Sequence, residues 1–482
     1  LTEVPESTIT SENYYKTPDQ IENATVALYA ALGGDWNFFK IQQHWTFELP
    51  SDQGRFHPDE PNVETQAPEF LNWTSTSRDA VLPWQMHFRN LMRAHIVMEF
   101  APQVEFADAQ KQAMLIAEAK FMRAFHYFWL TRIYDGVPLF TSLDEQRSGG
   151  KARATEEEVL AQVIQDATEA APDLPWTRPA AEKGRATRAA ALALLSEAYR
   201  WRANVHTQSA ADWQASSDAA KQIIDSGQYA LTDDYIDAFL PGSELRSEEI
   251  FAVQFANTGW FGIDLWGGVY FARNLPAVTG WAVVVPTPAF YHSYAPGDYR
   301  HDVTFRTSAC PDGSDDNCAP EEKVDFTPLN FEGFSTVGHP HVWKYRPSDN
   351  GQNMWGAGDA NFPFYRYADV LLLYAEAQYE LGNVGAALDA VNQVRARARQ
   401  GTGYGGAGGA GRSHHGRQGH HLPGAVLGAV LRAGPVVRPG AARGDLLRGS
   451  AHDQRSAVGQ PGVRRRRPHA AADPRRGDLA ES

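Results

Sequence analysis

The segment from Asn361 to Ala398, NFPFYRYADVLLLYAEAQYELGNVGAALDAVNQVRARA, constrains the fold more than any other part of the chain, because it reads as two helices folded back on each other. Val370, Tyr374, Ala377 and Leu381 fall on one helical stripe, and Val384, Leu388, Val391 and Arg395 on a second, with Gly382-Asn383 breaking the helix between them. Ala375, Ala377, Ala387 and Ala390 are small enough to let two helices approach closely, as in a tetratricopeptide-type hairpin. A chain built this way usually binds something.

The same period recurs upstream. Thr17-Pro18-Asp19-Gln20 is a capping box with proline at the first helical position, followed by Ile21, Ala24, Leu28 and Ala31 on one face until Gly33-Gly34. No period holds from Trp36 to Pro83, a Pro-, Asn- and Asp-rich stretch with several large aromatics, and a loop that long is expected to be functional or disordered. Helix resumes at Trp84 with Phe88, Leu91 and His95, and again with Met114, Ala117, Phe121, Ala124 and Phe128 until Gly136-Val137-Pro138. Glu156 to Ala171, Ala186 to Arg202 and Asp212 to Ser226 supply three more helices. The expected fold is mainly α: a right-handed, tetratricopeptide-like stack of helical hairpins. From Tyr229 to Pro363 only short β-like pieces occur (FAVQFA, GGVYFA, WAVVVPTPAF, HVWKY), expected as loops and small strands inserted between repeats.

Composition narrows the function classes. With 482 residues and 43% hydrophobic content the chain can bury a large core, and its net charge of -14 argues against a nucleic-acid partner. No apolar run is long enough to cross a bilayer. Cys310 and Cys318 enclose PDGSDDN; they can close a small disulfide loop in an oxidising compartment or stand as two thiols in a reducing one, and spacing does not decide between these. The acidic loop Asp312 to Asn317 fits no EF-hand and reads as a solvated turn, and His339 and His341 lack a third ligand at useful spacing, so no metal is expected. No G-x-S-x-G, H-E-x-x-H, P-loop or helix-opening G-x-G-x-x-G is present, and no carboxylate pair is marked by a motif. No catalytic residue and no cofactor is therefore assigned, and glycoside hydrolysis is disfavoured.

The wording of several segments goes beyond their periodicity. RYADVLLLYAEA (Arg366 to Ala377) with NQVRARA (Asn392 to Ala398) resembles the late helical repeat of the SusD/RagB family. Ala117 to Leu139, Ala186 to Tyr199, Asp212 to Leu231 and Glu248 to Phe255 resemble further family landmarks in the family's order. The resemblance covers roughly residues 1–399, expected as a single domain whose irregular ligand-facing region spans about 229–363. It implies a cell-surface protein that captures oligo- or polysaccharide and delivers it to a SusC-like TonB-dependent outer-membrane barrel. Within the same resemblance, peptide uptake is an alternative ligand class, and a helical-repeat scaffold that recruits only proteins is another reading. LTEVPESTIT resembles the start of a mature family member, which implies an N-terminal lipid anchor upstream of Leu1 and an outer-membrane, surface-exposed location. After Arg399 the sequence turns Gly-, Arg-, His- and Pro-rich and matches nothing in the family. A shifted reading frame near the Arg399 codon is the expectation, and a true low-complexity tail the alternative, so neither Arg464 to Arg467 nor the histidine pairs at 414/415 and 420/421 are read as a site.

A pyranose presents C–H groups on its faces and hydroxyls at its rim, so a sugar site needs flat aromatic platforms flanked by polar side chains. Two aromatic clusters lie outside the helical stripes. The first holds Trp36, Phe38, Phe39, Trp45, Phe56 and Trp73 with Asp52 and Arg55, and the second runs from Trp260 to Trp281 with Trp266 and Asn274. Trp73, Trp260, Trp266 and Trp281 are expected as platforms and Asp52, Arg55 and Asn274 as rim contacts. Trp84, Trp129, Trp201 and Trp213 sit within helical stripes and are assigned to the core.

Overall fold

Capping chemistry written into the sequence starts the helices where the structure has them. The computed structural model describes residues 14–33, 43–57, 66–240, 242–243, 246–256, 266–272, 275, 280–295, 297–312, 318–326, 340–345 and 360–400, all within the first of two units into which the chain divides, Leu1–Pro439. The segment after Arg399 and its frameshift expectation lie outside the described residues, Gln400 excepted. Eight long helices stand among those described: α1 (Pro18–Ala30), α2 (Arg78–Phe100), α3 (Ala109–Tyr134), α4 (Glu156–Ala170), α5 (Arg188–Arg202), α6 (Ala210–Ser226), α7 (Tyr367–Glu380) and α8 (Val384–Gln400). Thr17 and Gln20 form the capping box of α1, Thr155 and Glu158 that of α4, and the Asp108 carboxylate accepts from the first free N–H groups of α3. Gly227 (φ 63°) ends α6 and Gly382 (φ 82°) turns α7 into α8, both in the left-handed region that glycine enters without strain.

From α2 to α8, each helix packs on the one before and the one after, with α1 across α2 and α3. The chain leaves this stack after α6 and re-enters it at α7, which packs directly on α6. Ala375, Ala377, Ala387 and Ala390 are all buried, as close approach of α7 and α8 requires. Three expectations shift. α7 is buried on most of its circumference, well beyond one stripe, because α6, α8 and the sheet region all cover it. On α8 the packed face runs through Ala387, Ala390, Val391, Val394 and Ala398 while Val384 is exposed, since the small alanines set the contact line. α2 also begins six residues before Trp84: Pro83, which reads as a breaker, is buried within its second turn. Of the four core tryptophans, Trp213 is buried, and Trp84, Trp129 and Trp201 pack half-buried against the main core.

Charged side chains bolt the stack from within. Arg123 of α3 meets Asp166 of α4 through two hydrogen bonds of 2.7 and 2.6 Å. The Glu118 carboxylate, fully buried, accepts from Arg185 at 2.9 and 2.7 Å and from the Tyr29 hydroxyl of α1 at 2.6 Å, with Arg178 at 3.0 Å. Glu197 of α5 pairs with Arg132 of α3 at 3.2 Å, and Glu376 of α7 with Arg200 of α5 at 3.1 Å. Between α2 and α3, His87 and His126 share a hydrogen bond between their Nδ1 atoms at 2.9 Å, so one ring donates and the other accepts. Burial keeps both imidazoles neutral, pushing His126 down to about 3.

The excursion between α6 and α7 is built from short pieces, as expected. Strand β1 (Gly54–Phe56) pairs antiparallel with β3 (Val284–Pro286), and β2 (Glu249–Val253) with β4 (Phe362–Arg366). Two-residue strands pair Phe305–Arg306 with His341–Val342 and Ser308–Ala309 with Val324–Asp325. Phe271, Trp343 and Phe326 stack into a small satellite core beside them, and a Cys310–Cys318 disulfide closes the adjoining loop.

Three family-like segments converge on one carboxylate. Glu248, fully buried just before β2, accepts from Arg397 of α8 at 2.7 Å, from the Thr232 hydroxyl at 2.8 Å and from the Thr232 N–H at 3.0 Å, with Arg366 at 3.6 Å. Burial raises the Glu248 pKa, but Arg366 and Arg397 more than offset it and hold the carboxyl below its ordinary value. Its stabilising contribution is therefore present above the unfolded carboxylate pKa and lost as pH falls through the depressed value. Arg397→Met should destabilise the fold by about 3 kcal/mol, because a buried charge loses its closest partner. Urea denaturation near neutral pH checks this.

Candidate functional site

The two aromatic regions of the sequence are sewn together by the ribbon β1–β3. Arg55 faces Val285 and Phe56 faces Val284 across it, and His57 N–H donates to Val283 O at 3.0 Å. At the other end the Thr287 N–H donates to Gln53 O at 2.9 Å and the Thr287 hydroxyl to Asp52 O at 2.6 Å. The crossing is tight at Gly54, where a Cβ would lie 3.0 Å from both Glu48 O and a Val284 methyl and would push one of them aside. The short helix Trp266–Tyr270 is tied to the same ribbon, because the Trp281 N–H donates to Gly268 O at 2.7 Å.

Residues 66–77 lie against this ribbon through Glu69. Its carboxylate accepts from the Phe56 N–H at 2.7 Å and stands 3.7 Å from Arg55 Nε. Beyond that tether the chain turns outward, with Leu71 in the left-handed region at φ 53° and the Asn72 N–H bonded back to Ala67 O at 3.2 Å. Phe70, Leu71 and Trp73 are 65%, 61% and 37% exposed, so one short segment concentrates large apolar side chains in water. Asn72 and Asp52 are exposed and Arg55 half-exposed on the segments joined by Glu69 and the ribbon.

The expected site residues are therefore placed as follows. Trp73, Asp52 and Arg55 belong to segments that the structure joins, and Trp73 is open to solvent. Trp281 is half-buried and packs on the main core. Trp266 opens the short helix, but its side chain lies outside the described residues, as do Trp260 and Asn274 entirely. Sequence reasoning passed over Phe70, Leu71 and Glu69. An adjacent apolar pair with no period in a Pro-, Asn- and Thr-rich stretch was the available signal. Of the residues weighed for metals, His341 is buried, while His339 and 313–317 lie outside the described residues.

The inner side of the ribbon helps close a cavity of about 170 Å³. Gln53, Gly54 and Val285 line it from the ribbon, Glu48 and Lys344 from flanking segments, and Trp129 from the helical stack. The Lys344 ammonium lies over the rings of Tyr345 (4.7 Å) and Phe239 (4.9 Å). Burial pushes the Glu48 carboxyl up to about 7, partly offset by Lys344 and by a hydrogen bond with Tyr270.

The fold and this surface define a helical-repeat protein that displays an aromatic loop segment beside a polar ribbon. Residues 4–200 match the family model described as "Starch-binding associating with outer membrane", and residues 247–403 the model of the SusD family. The chain belongs to the SusD/RagB family. It is 27% identical over 427 residues to SusD-like protein P38 of Formosa agariphila, covering 81% of this chain and 76% of that protein. A SusD homolog from Bacteroides thetaiotaomicron superposes with a TM-score of 0.71 at 19% identity, over 88% of this chain and 84% of that one. Surface glycan-binding protein A from the same organism, solved in complex with laminarihexaose, superposes with a TM-score of 0.64 at 20% identity, over 80% of this chain and 84% of that one.

Between about pH 4.5 and 7 the folded chain keeps a proton on Glu48 that the unfolded chain releases, so this group lowers stability progressively as pH rises through that window. Glu48→Gln should remove that dependence, stabilising the protein relative to wild type by about 3 kcal/mol at pH 8 and little at pH 4. Paired urea titrations at the two pH values measure the difference.

Proposed function

We propose that this chain is a cell-surface glycan-binding protein that captures oligo- or polysaccharide and passes it to a SusC-like TonB-dependent barrel in the outer membrane. The observation that carries this reading is the exposed Phe70–Trp73 segment, pinned by Glu69 to Arg55 and Phe56 of the ribbon. A sugar face stacked on one ring is worth about 1–2 kcal/mol, and a millimolar complex needs about 4, so two platforms with a few rim hydrogen bonds suffice for weak capture. The family model named for starch binding and the laminarihexaose-bound structural neighbour support a carbohydrate as ligand class. From the second cluster, Trp260, Trp266, Asn274 and the solvent-facing part of the half-buried Trp281 are proposed as further contacts.

The same reading takes residues 1–399 as one domain without catalytic activity and assigns the sequence after Arg399 to a shifted frame. Translating the other two frames of the resequenced gene tests the last point: absence of an acidic, aromatic helical continuation in both would exclude it. Release of reducing ends from a polysaccharide panel would overturn the non-catalytic assignment.

Affinity electrophoresis through polysaccharide gels tests the capture role. Trp73→Ala and Phe70→Ala should each weaken binding to a retained glycan by about 5- to 30-fold, with the thermal midpoint unchanged because neither side chain is in the core. Retardation by no glycan, together with tight binding to the barrel, would favour a purely protein-recruiting scaffold. Glu69→Ala should weaken the same glycan as strongly as Trp73→Ala, since it releases the segment that carries both rings.

A further inference from the structure

A second concave region lies on the helical stack and uses no residue of the loop surface. Trp84 and Phe88 stand about one turn apart on α2 with ring centroids 4.7 Å apart, and Phe140 meets Phe88 edge-on at 6.0 Å. These rings line a shallow, open cleft, with Arg89, Gln146 and Lys151 also in its wall. Trp84 is held from behind by Tyr134, whose ring meets it edge-on at 5.2 Å and whose hydroxyl is anchored on Ala80 O at 2.6 Å. Gln146 is fixed as well: its Nε2 donates to Phe88 O at 2.7 Å and its Oε1 meets His95 Nδ1 at 2.8 Å.

The charges beside this cleft depart from the rest of the chain. Arg89 is exposed and forms no ion pair among the described residues, and Arg93, one turn further along α2, bonds to the neutral Asn90 Oδ1 at 2.6 Å. Like charges four residues apart weaken a helix, and among the described residues no carboxylate pairs with either, although the chain carries a net charge of -14. Lys151 pairs with Glu145 at 2.9 Å, but both side chains are about 41% exposed, and such a pair is weak and readily exchanged. Flat rings below, with the unpaired Arg89 and the weakly paired Lys151 at the edge, match a sugar that carries an anionic substituent.

We propose that this cleft binds an anionic pyranose residue, its ring against Trp84 and Phe88 and its carboxylate or sulfate on Arg89 and Lys151. Affinity electrophoresis of the whole chain through gels containing polygalacturonate, a sulfated galactan or a neutral galactan tests this. Wild type should be retarded by at least one acidic polymer, and which one it is identifies carboxylate or sulfate as the recognised group. Arg89→Glu should weaken that retardation by about tenfold or more, Arg89→Lys should keep most of it, and Trp84→Leu should weaken it too. The remote Arg399→Glu should leave it unchanged, as Arg89→Glu should leave any retardation by the neutral polymer. The thermal midpoint of each variant verifies folding. No retardation by either acidic polymer, or an equal loss in Arg89→Glu and Arg399→Glu, overturns the proposal. The loop-surface reading fails separately, if Trp73→Ala changes binding to no glycan.

Discussion

One buried carboxylate holds the architecture closed. Glu248 immediately precedes β2, Arg366 ends β4 and opens onto α7, and Arg397 lies in the last turn of α8, so a single cluster joins the start of the excursion to its return and to the last described helix. A carboxylate at 0% exposure would be expelled from the interior unless paired and hydrogen-bonded, and here two guanidinium groups and both donors of Thr232 satisfy it. Aromatic rings cover the cations in turn, with Arg366 over Phe239 at 5.0 Å and Arg397 over Tyr235 at 5.3 Å. The segment names that carry the family resemblance are thus explained by burial. Their charged residues hold the frame and take no part in the loop surface.

The frame matters to the site because the site is made of loops. Irregular segments position ligand groups only when a rigid scaffold fixes their ends. The ion pairs between α3, α4, α5 and α7 supply that rigidity, and two of their members, Arg132 and Glu197, also line the cavity behind the ribbon. The ribbon β1–β3 is therefore backed by the helical stack, and Glu69 carries the connection one step further to the exposed rings.

Periodic segments were legible because a helical period reports directly on burial. The capping box at Thr17 to Gln20, the hairpin around Gly382 and most helix limits follow from local chemistry that tertiary contacts do not override. Legibility failed where a tertiary partner decided the outcome. Pro83 reads as a break but is absorbed in α2, and Val384 reads as a packed residue but is exposed because Ala387 and Ala390 set the α7–α8 contact. The candidate surface was legible only in its pieces. Composition singles out Trp73, Asp52 and Arg55 as candidates, whereas the junction of their segments with residues 281–287 depends on a ribbon of three paired residues, too short for any sequence pattern to reveal. Trp281, equivalent to Trp73 in sequence terms, packs on the core, and nothing in its neighbours announces that difference.

The exposed segment itself argues for a ligand on physical grounds. Phe70 and Leu71 hold more than half their surface in water, and Leu71 does so from a left-handed backbone conformation that an L-residue adopts at a cost of about 1 kcal/mol or more. Neither feature helps the fold, since no core cluster includes these side chains and burying them would stabilise the chain. What fixes the segment is the Glu69 carboxylate on the Phe56 N–H, a contact that aims the rings outward. An arrangement that spends backbone strain and hydration of apolar surface to present rings from a fixed base reduces the ordering entropy a ligand must otherwise overcome. That preorganisation suits weak, reversible capture, where a few kcal/mol of stacking must suffice.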